Sequence, residues 1–281
     1  MKKAIYRLLK GPFFGRFMVK WKNPLQSDFT WVKDRIKSKS GATIAVWSHI
    51  NQQNQGTVVL AHAMGKGAKG DFLKSGYAHH LVRSGFNVVT FDFNGFGEST
   101  MGNFNYYFDL YCVRDYTAKK FPNTPLFLHG ISFGANWGTL ALKESDNSFK
   151  AAILESGATN LPEFWVHYPV AHRMLKIFYT LRPQYKRKAD FAASLASTKN
   201  CEEILFIVAD PDIYTPLSMA ERMQASANVL SKILVFREAD HAQSIKSDPQ
   251  RYMREATAFF SKYAVKHVDK SKELLKPHHI T

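Results

Sequence analysis

The chain has 281 residues, of which 45% are hydrophobic, and carries a formal net charge of +15 at pH 7. The length suits one large domain, no run approaches the roughly 18 apolar residues of a spanning helix, and Cys112 and Cys201 provide neither a disulfide framework nor zinc-ligand spacing. The charge favours acidic partners such as anionic lipid or an acyl carrier protein, whereas no nucleic-acid-binding module is present, so we expect no nucleic acid as a partner.

Residues 1–28 are predicted to form a basic, aromatic N-terminal segment. Residues 1–22 contain no acidic side chain, and Gly11-Pro12 is predicted to end one short helix and start another. The second helix would gather large apolar side chains on one face: Phe13, Phe14, Phe17, Met18 and Trp21. Two interpretations stay open, because this face can lie on an anionic membrane surface or pack on the rest of the protein.

Short runs of β-branched or aromatic residues alternate with longer helical patterns after this segment. The alternation predicts an α/β fold with a mostly parallel twisted sheet flanked by helices, and a hairpin around Ser40-Gly41 at one sheet edge. The predicted strands cover 29–38, 43–50, 57–62, 87–92, 125–129, 149–155, 203–209 and 232–237. The predicted helices cover 71–84, 106–119, 217–227 and 249–263, with one more beginning near Phe133.

The strand rhythm stops between about 161 and 199, where aromatic and basic residues are frequent. This stretch is predicted to be a small helical lid inserted into one domain that covers 29–265. Residues 266–281 are predicted to be a polar C-terminal tail. With no secretory signal in the sequence, the expected location is the cytoplasm, with the N-terminal segment offering peripheral attachment to a membrane.

The sequence Gly130-Ile131-Ser132-Phe133-Gly134 follows a predicted strand and begins a predicted helix. Flanking glycines allow a sharp turn in which a strained serine projects its hydroxyl above the sheet. A plain strand-to-helix turn is the alternative, since the five-residue pattern is common. In this context the chain resembles the α/β-hydrolase family, in which this turn, the nucleophile elbow, carries the catalytic serine.

That resemblance implies the order Ser, acid, His along the chain. Asp212 stands after a predicted strand and four residues before Pro216, as the family's acid does, while Asp210 is a competitor that a single sequence does not exclude. Turn stabilisation is the other role open to both aspartates. His241 follows the last predicted core strand, where the family places its histidine. The resemblance thus implies a catalytic triad in which His241 is the general base and an aspartate orients it.

Hydrolysis also needs hydrogen-bond donors for the oxyanion. By resemblance, these are the backbone amides of Phe133 and of Met64, although the chain has His62-Ala63 where the family commonly has His-Gly. The segment from His241 to Phe260 resembles the single-domain Bem46-like hydrolases. No cofactor or metal is implied.

The resemblance implies a serine hydrolase that cleaves a small-molecule carboxylic ester or thioester through an acyl-enzyme on Ser132. Two alternatives stay open. One is an inactive α/β-hydrolase-fold binding protein, since fold alone does not establish activity. The other is an acyl-thioesterase or acyltransferase that acts on an acidic carrier.

Overall fold

The computed structural model describes residues 2–19 and 29–265. Its strands are β1 Val32–Lys37, β2 Thr43–His49, β3 Thr57–Ala61, β4 Asn87–Phe91, β5 Leu126–Ile131, β6 Phe149–Glu155, β7 Glu203–Asp210 and β8 Leu230–Arg237. Among the described residues these eight strands form one sheet, in the order β1-β2-β4-β3-β5-β6-β7-β8.

The sheet is parallel except at one edge. β1 and β2 form an antiparallel hairpin, β2 runs antiparallel to β4, and every later neighbour is parallel. The central strands β3 and β4 are buried along their whole length, as expected of apolar strands covered by helices on both faces. The predicted mostly parallel sheet with an edge hairpin is therefore confirmed.

Helices cover both faces of the sheet and enclose two apolar cores. The helices are α1 Lys2–Phe14, α2 Gly70–Lys74, α3 Tyr77–Arg83, α4 Tyr107–Lys120, α5 Phe133–Leu142, α6 Leu161–Phe164, α7 Pro169–Leu181, α8 Pro183–Lys188, α9 Phe191–Leu195, α10 Leu217–Ser226, α11 Ser244–Ser247 and α12 Pro249–Ser261. Side chains of α4, α5, α9 and α10 lie in one core, and those of α3 and α12 lie in the other. Because parallel strands share a direction, the loops that follow β5, β7 and β8 meet at the carboxyl ends of the strands.

The helix predicted over 71–84 is two helices in the structure. Gly76 separates α2 from α3 and has a left-handed backbone with φ of 75°. The apolar periodicity continues across this break, since Phe72, Leu73 and Leu81 all lie in the same core. Glycine is the residue that adopts a left-handed turn without strain, and this local preference outweighs the continuous helical pattern.

Residues 161–196 contribute helices rather than strands, namely α6, a 3₁₀ turn Trp165–His167, α7, α8 and α9. α6 and α9 each have a side-chain N-cap. Asn160 accepts from the amide of Glu163, and Asp190 accepts from the amide of Ala193. The proposal that this stretch acts as a lid is a functional statement, and it stays a prediction, as do the domain boundaries.

The N-terminal segment forms one helix through Pro12, so the predicted break at Gly11-Pro12 is wrong. Pro12 lacks an amide hydrogen, but the helix continues past it to Phe14. The amide of Gly15 then donates to the carbonyl of Gly11 at 2.9 Å. Side chains near the end of α1 hold it on the body. Phe14 is buried, with its ring 5.8 Å from that of Phe133.

Lys10 is the second anchor of α1. Its ammonium donates to Asn94 Oδ1 at 2.5 Å and lies 4.2 Å from the centre of the Tyr106 ring. Burial lowers the pKa of Lys10 to about 7, against the opposing attraction of Asp109. The aromatic side of the segment therefore faces the protein, as the packing interpretation expects for Phe13 and Phe14.

Two parts of the predicted domain organisation lie outside the described residues. They are the polar tail 266–281 and positions 20–28 of the N-terminal segment, including Trp21. Within 2–19 and 29–265, no helix is both long enough and apolar enough to cross a membrane.

Candidate active site

Ser132 lies at the turn between β5 and α5, with φ of 49° and ψ of −103°. A left-handed φ strains a non-glycine residue, and packing of the adjoining strand and helix holds it there. Gly134 explains why the turn can be so tight, since a Cβ there would lie 2.0 Å from the carbonyl oxygen of Ala61. Helix α5 thus comes close to β3, and the turn before it places the Ser132 hydroxyl above the carboxyl ends of the strands.

His241 lies in the loop after β8 and contacts Ser132 directly. Its Nε2 is 2.8 Å from Ser132 Oγ, and its Nδ1 is 2.7 Å from Asp212 Oδ2. An ionised aspartate only accepts hydrogen bonds, so Nδ1 carries the proton and Nε2 accepts from the serine hydroxyl. This arrangement can take a proton from the serine and stabilise the resulting imidazolium.

Asp212 follows β7 and has a side chain fully removed from solvent. Besides His241, it accepts from Thr215 Oγ1 at 2.6 Å and from the amides of Tyr214 and Thr215 at 2.9 and 3.0 Å. Burial opposes ionisation, but the hydrogen bonds from His241 and Thr215 outweigh it and lower the pKa of Asp212. The carboxylate is therefore ionised at neutral pH.

Asp210, the competing carboxylate, ends β7 and is exposed. Its side chain accepts no hydrogen bond from the residues within 2–19 and 29–265, whereas its carbonyl accepts from the amide of Ala239 at 3.3 Å. Of the two aspartates that the sequence offers, the structure brings Asp212 and not Asp210 to His241.

The amides of Met64 and Phe133 donate to no acceptor in the described part of the chain. Phe133 begins α5, where amides lack partners within the helix. The turn that holds Met64 is stabilised by His62, whose Nδ1 donates to the Ala63 carbonyl at 2.7 Å while its Nε2 accepts from the Phe93 amide at 3.0 Å. Burial lowers the pKa of His62, which favours this neutral tautomer. Sequence reasoning noted His62 but assigned it no such role.

A buried polar chain beneath the site was not expected from the sequence. Tyr77 donates to His129 Nδ1 at 2.8 Å, His129 Nε2 donates to the Tyr252 hydroxyl at 3.1 Å, and Tyr252 donates to Glu155 Oε2 at 2.5 Å. Burial lowers the pKa of His129, consistent with a neutral ring that passes one hydrogen bond along the chain. His129 lies 52 positions from Tyr77 and 123 from Tyr252, so no local sequence pattern reveals these partners.

Glu155 connects this series of buried hydrogen bonds to the site. Its carbonyl accepts from the amide of Ser132 at 2.7 Å, and its Oε1 accepts from the amide of Ser244 at 3.3 Å. Ser244 begins α11, three residues after His241. One residue at the end of β6 therefore contacts both the serine turn and the segment that follows the histidine.

A cavity of about 380 Å³ lies beside the site, between the end of α1 and the start of α7. Met64 and Trp165 border it, as do residues 11–13, 15–17 and 168–171 and Met174. Its walls are mainly apolar. Ser132 does not line this cavity and is only 4% exposed. Among the described residues, no group of three or more His, Cys, Asp or Glu side chains is placed to hold a metal ion.

A family model described as serine aminopeptidase, S33 (Hydrolase_4) matches residues 52–273, most of the chain. The chain is also similar to lysophosphatidylserine lipase ABHD12. It is 28% identical to the Macaca fascicularis protein and 29% identical to the Mus musculus protein over 148 residues, or 51% of this chain. The matched part is 33% of each relative's length. The similarity fits the narrower resemblance to Bem46-like hydrolases.

Solved structures share the fold. The Pyrococcus furiosus esterase Pf2001 superposes with a TM-score of 0.71 at 16% identity, covering 88% of this chain and 97% of the esterase. XC6422 from Xanthomonas campestris, described as a serine hydrolase without a lid, gives a TM-score of 0.61 at 16% identity, covering 88% of this chain and 100% of XC6422. At this level of identity the similarity concerns the fold.

Proposed function

The chain belongs to the serine aminopeptidase S33 family of α/β-hydrolases, and on that premise we propose that it cleaves a carboxylic ester through an acyl-enzyme on Ser132. The observation that carries the proposal is the continuous set of hydrogen bonds from Ser132 through His241 to Asp212. A serine hydroxyl is a weak nucleophile, and this arrangement supplies the base and the group that orients it.

In the proposed reaction, Ser132 Oγ forms a bond to the acyl carbon while its proton moves to His241 Nε2. The bond to the leaving alcohol then breaks, and His241 returns the proton to the alcohol oxygen. A water molecule repeats these steps on the acyl-enzyme, with His241 again as base, and releases the carboxylic acid. Asp212 stabilises the imidazolium in both halves.

The amides of Met64 and Phe133 are proposed to donate to the oxyanion, because neither has an acceptor in the described part of the chain. Phe133 directly follows Ser132, and Met64 follows β3, the strand that pairs with β5. The nearby cavity is proposed to hold the acyl group, since its walls are mainly apolar and Met64 borders it. Ser132 does not line the cavity, so the proposal places the acyl chain in the cavity and the acyl carbon outside it, at the serine.

Two observations favour an ester of lipid type over a peptide. The cavity is apolar and bordered by Phe13 and Trp165, and the curated relatives are named lysophosphatidylserine lipases. A thioester or an acyl group on an acidic carrier is the second candidate, favoured by the charge of +15. Acyl p-nitroanilides, acyl thioesters and p-nitrophenyl esters of matched chain length distinguish amide, thioester and ester cleavage.

The decisive experiment is labelling with a fluorophosphonate, which reacts with an activated serine. We expect wild type to be labelled at Ser132, S132A to be unlabelled, and S197A, which removes an exposed hydroxyl elsewhere, to be labelled normally. A folded, monodisperse wild type that is not labelled and hydrolyses none of the esters would overturn the proposal and favour the binding-scaffold alternative.

A further inference from the structure

Two segments that border the cavity expose large apolar side chains to solvent. Leu8 of α1 is 77% exposed and Leu181 of α7 is 72% exposed. The exposed apolar residues of these two helices are Ile5, Leu8, Leu9, Val170, Met174, Ile177, Phe178 and Leu181. The end of α1 and the start of α7 both line the cavity, and of the exposed apolar residues Val170 and Met174 line it directly.

Helix α7 is apolar on two sides. Its buried side chains, Ala171, Leu175 and Tyr179, recur every four residues and pack in the core. A second stripe of exposed apolar residues is formed by Val170, Met174, Ile177 and Leu181. The outer face of a surface helix is ordinarily polar, and a continuous exposed apolar stripe marks an interaction surface.

Charge identifies the kind of partner. No acidic residue occurs in 2–19 or in 164–189. Apart from the buried Lys10, the cations of these segments are all exposed: Lys2, Lys3, Arg7, Arg16, Arg173, Lys176, Arg182, Lys186, Arg187 and Lys188. Within 2–19 and 29–265, none of them forms an ion pair with a carboxylate at 4.0 Å or less. Both helices thus combine exposed apolar side chains with exposed cations, and neither segment contains an acidic residue.

We propose that α1 and α7 together bind the surface of a bilayer that contains anionic phospholipid, with the opening of the cavity turned toward the lipid. A bilayer surface offers anionic headgroups above an apolar layer, and this face matches both. A second copy of the chain would present the same cations and repel it. The surface differs from the aromatic one predicted from the sequence, since Phe13 and Phe14 pack against the body.

The test measures cosedimentation with vesicles of phosphatidylcholine alone and vesicles in which part of it is replaced by phosphatidylglycerol. We expect wild type to bind only the anionic vesicles, with binding that falls as salt rises. I177S/L181S removes the apolar stripe outside the cavity wall, and R173E/K176E reverses the charge beside it. The charge pair should weaken the apparent affinity by more than about tenfold, because each cation near the surface contributes about fivefold. The apolar pair should weaken it by a similar factor, because both side chains lose the apolar area that they would bury in the lipid.

I50S/L230S is the matched control for the apolar pair, since Ile50 and Leu230 are similarly exposed elsewhere on the protein. K39E/K119E is the control for the charge pair. We expect both controls to bind within about twofold of wild type, and all variants to keep the wild-type melting temperature within about 3 °C. Equal sedimentation of I177S/L181S and wild type would overturn the proposal.

Size-exclusion chromatography with light scattering gives a second outcome. If wild type is a dimer and I177S/L181S is a monomer, the stripe is an interface between copies and the bilayer proposal is wrong. The binding measurement uses no substrate, so it does not depend on the proposed ester hydrolysis. Conversely, fluorophosphonate labelling can fail while vesicle binding succeeds, and the two proposals are tested separately.

Discussion

Replacing Asp212 with asparagine tests the proposed acid most directly. Asp212 accepts four hydrogen bonds of 2.6 to 3.0 Å, two of them from Thr215 and one each from Tyr214 and His241. Asparagine has one acceptor oxygen and one amino group that only donates. Whichever way the amide is oriented, its amino group faces donors that the carboxylate accepted from.

The orientation that keeps both backbone amides bonded turns the amino group toward His241 Nδ1. His241 then accepts at Nδ1 and carries its proton on Nε2, where it cannot take the proton of Ser132. Loss of the correct tautomer in a triad lowers kcat by about 10⁴-fold, or about 5.5 kcal/mol at 1.36 kcal/mol per decade. We therefore expect D212N to lower kcat/KM for a p-nitrophenyl ester by that amount.

D210N is the matched control, because Asp210 is exposed and its side chain makes no hydrogen bond with the rest of the described chain. We expect D210N to stay within about twofold of wild type. Thermal melts of both variants must show a folded protein. A large loss in D210N with little loss in D212N would reassign the acid, and a folded D212N with more than about a tenth of wild-type activity would refute the proposed role of Asp212.

Two further substitutions test how the fold supports the site. G134A should destabilise the protein by about 3 kcal/mol in urea titrations, since its Cβ would lie 2.0 Å from the Ala61 carbonyl oxygen. G138A is the control, because its Cβ would meet only the ends of leucine side chains, and it should change stability by less than about 1 kcal/mol. Equal effects would contradict the close approach of α5 and β3. Because burial lowers the pKa of Lys10 to about 7, the unfolded chain binds more protons above that pH, and stability should rise from pH 7 toward 10. In K10M this contribution should vanish, and an unchanged slope of melting temperature with pH would show that Lys10 is not buried as described.

Local sequence patterns were sufficient to predict the strand-helix alternation and the serine turn. Apolar runs of five or six residues mark buried strands, and glycines around Ser132 mark a tight turn, so both features depend on neighbouring residues. The order of Ser132, Asp212 and His241 came from the family resemblance. The structure adds that the ends of β5, β7 and β8 bring these three together.

Features that depend on distant contacts were not predictable in this way. The basic sequence around Lys10 is typical of a solvated or membrane-facing segment. In the structure the Lys10 side chain is instead buried, and it donates to Asn94, which is 84 positions later in the chain. Tyr252 and Glu155 are 97 positions apart, and their hydrogen bond forms only when α12 packs on the sheet. In each case a polar side chain is buried because the tertiary structure supplies its partner, and amphipathic periodicity contains no information about that partner.

The contacts of Glu155 indicate how the fold fixes the distance between serine and histidine. The Ser132 amide and the Ser244 amide both donate to this residue, through its carbonyl and its carboxylate respectively. β6 lies between β5, which leads to Ser132, and β7, which leads to Asp212. A change at the end of β6 therefore acts on the serine turn and the histidine loop together. Because both segments share Glu155, substitutions in the two segments should have non-additive effects on the 2.8 Å separation of Ser132 Oγ and His241 Nε2.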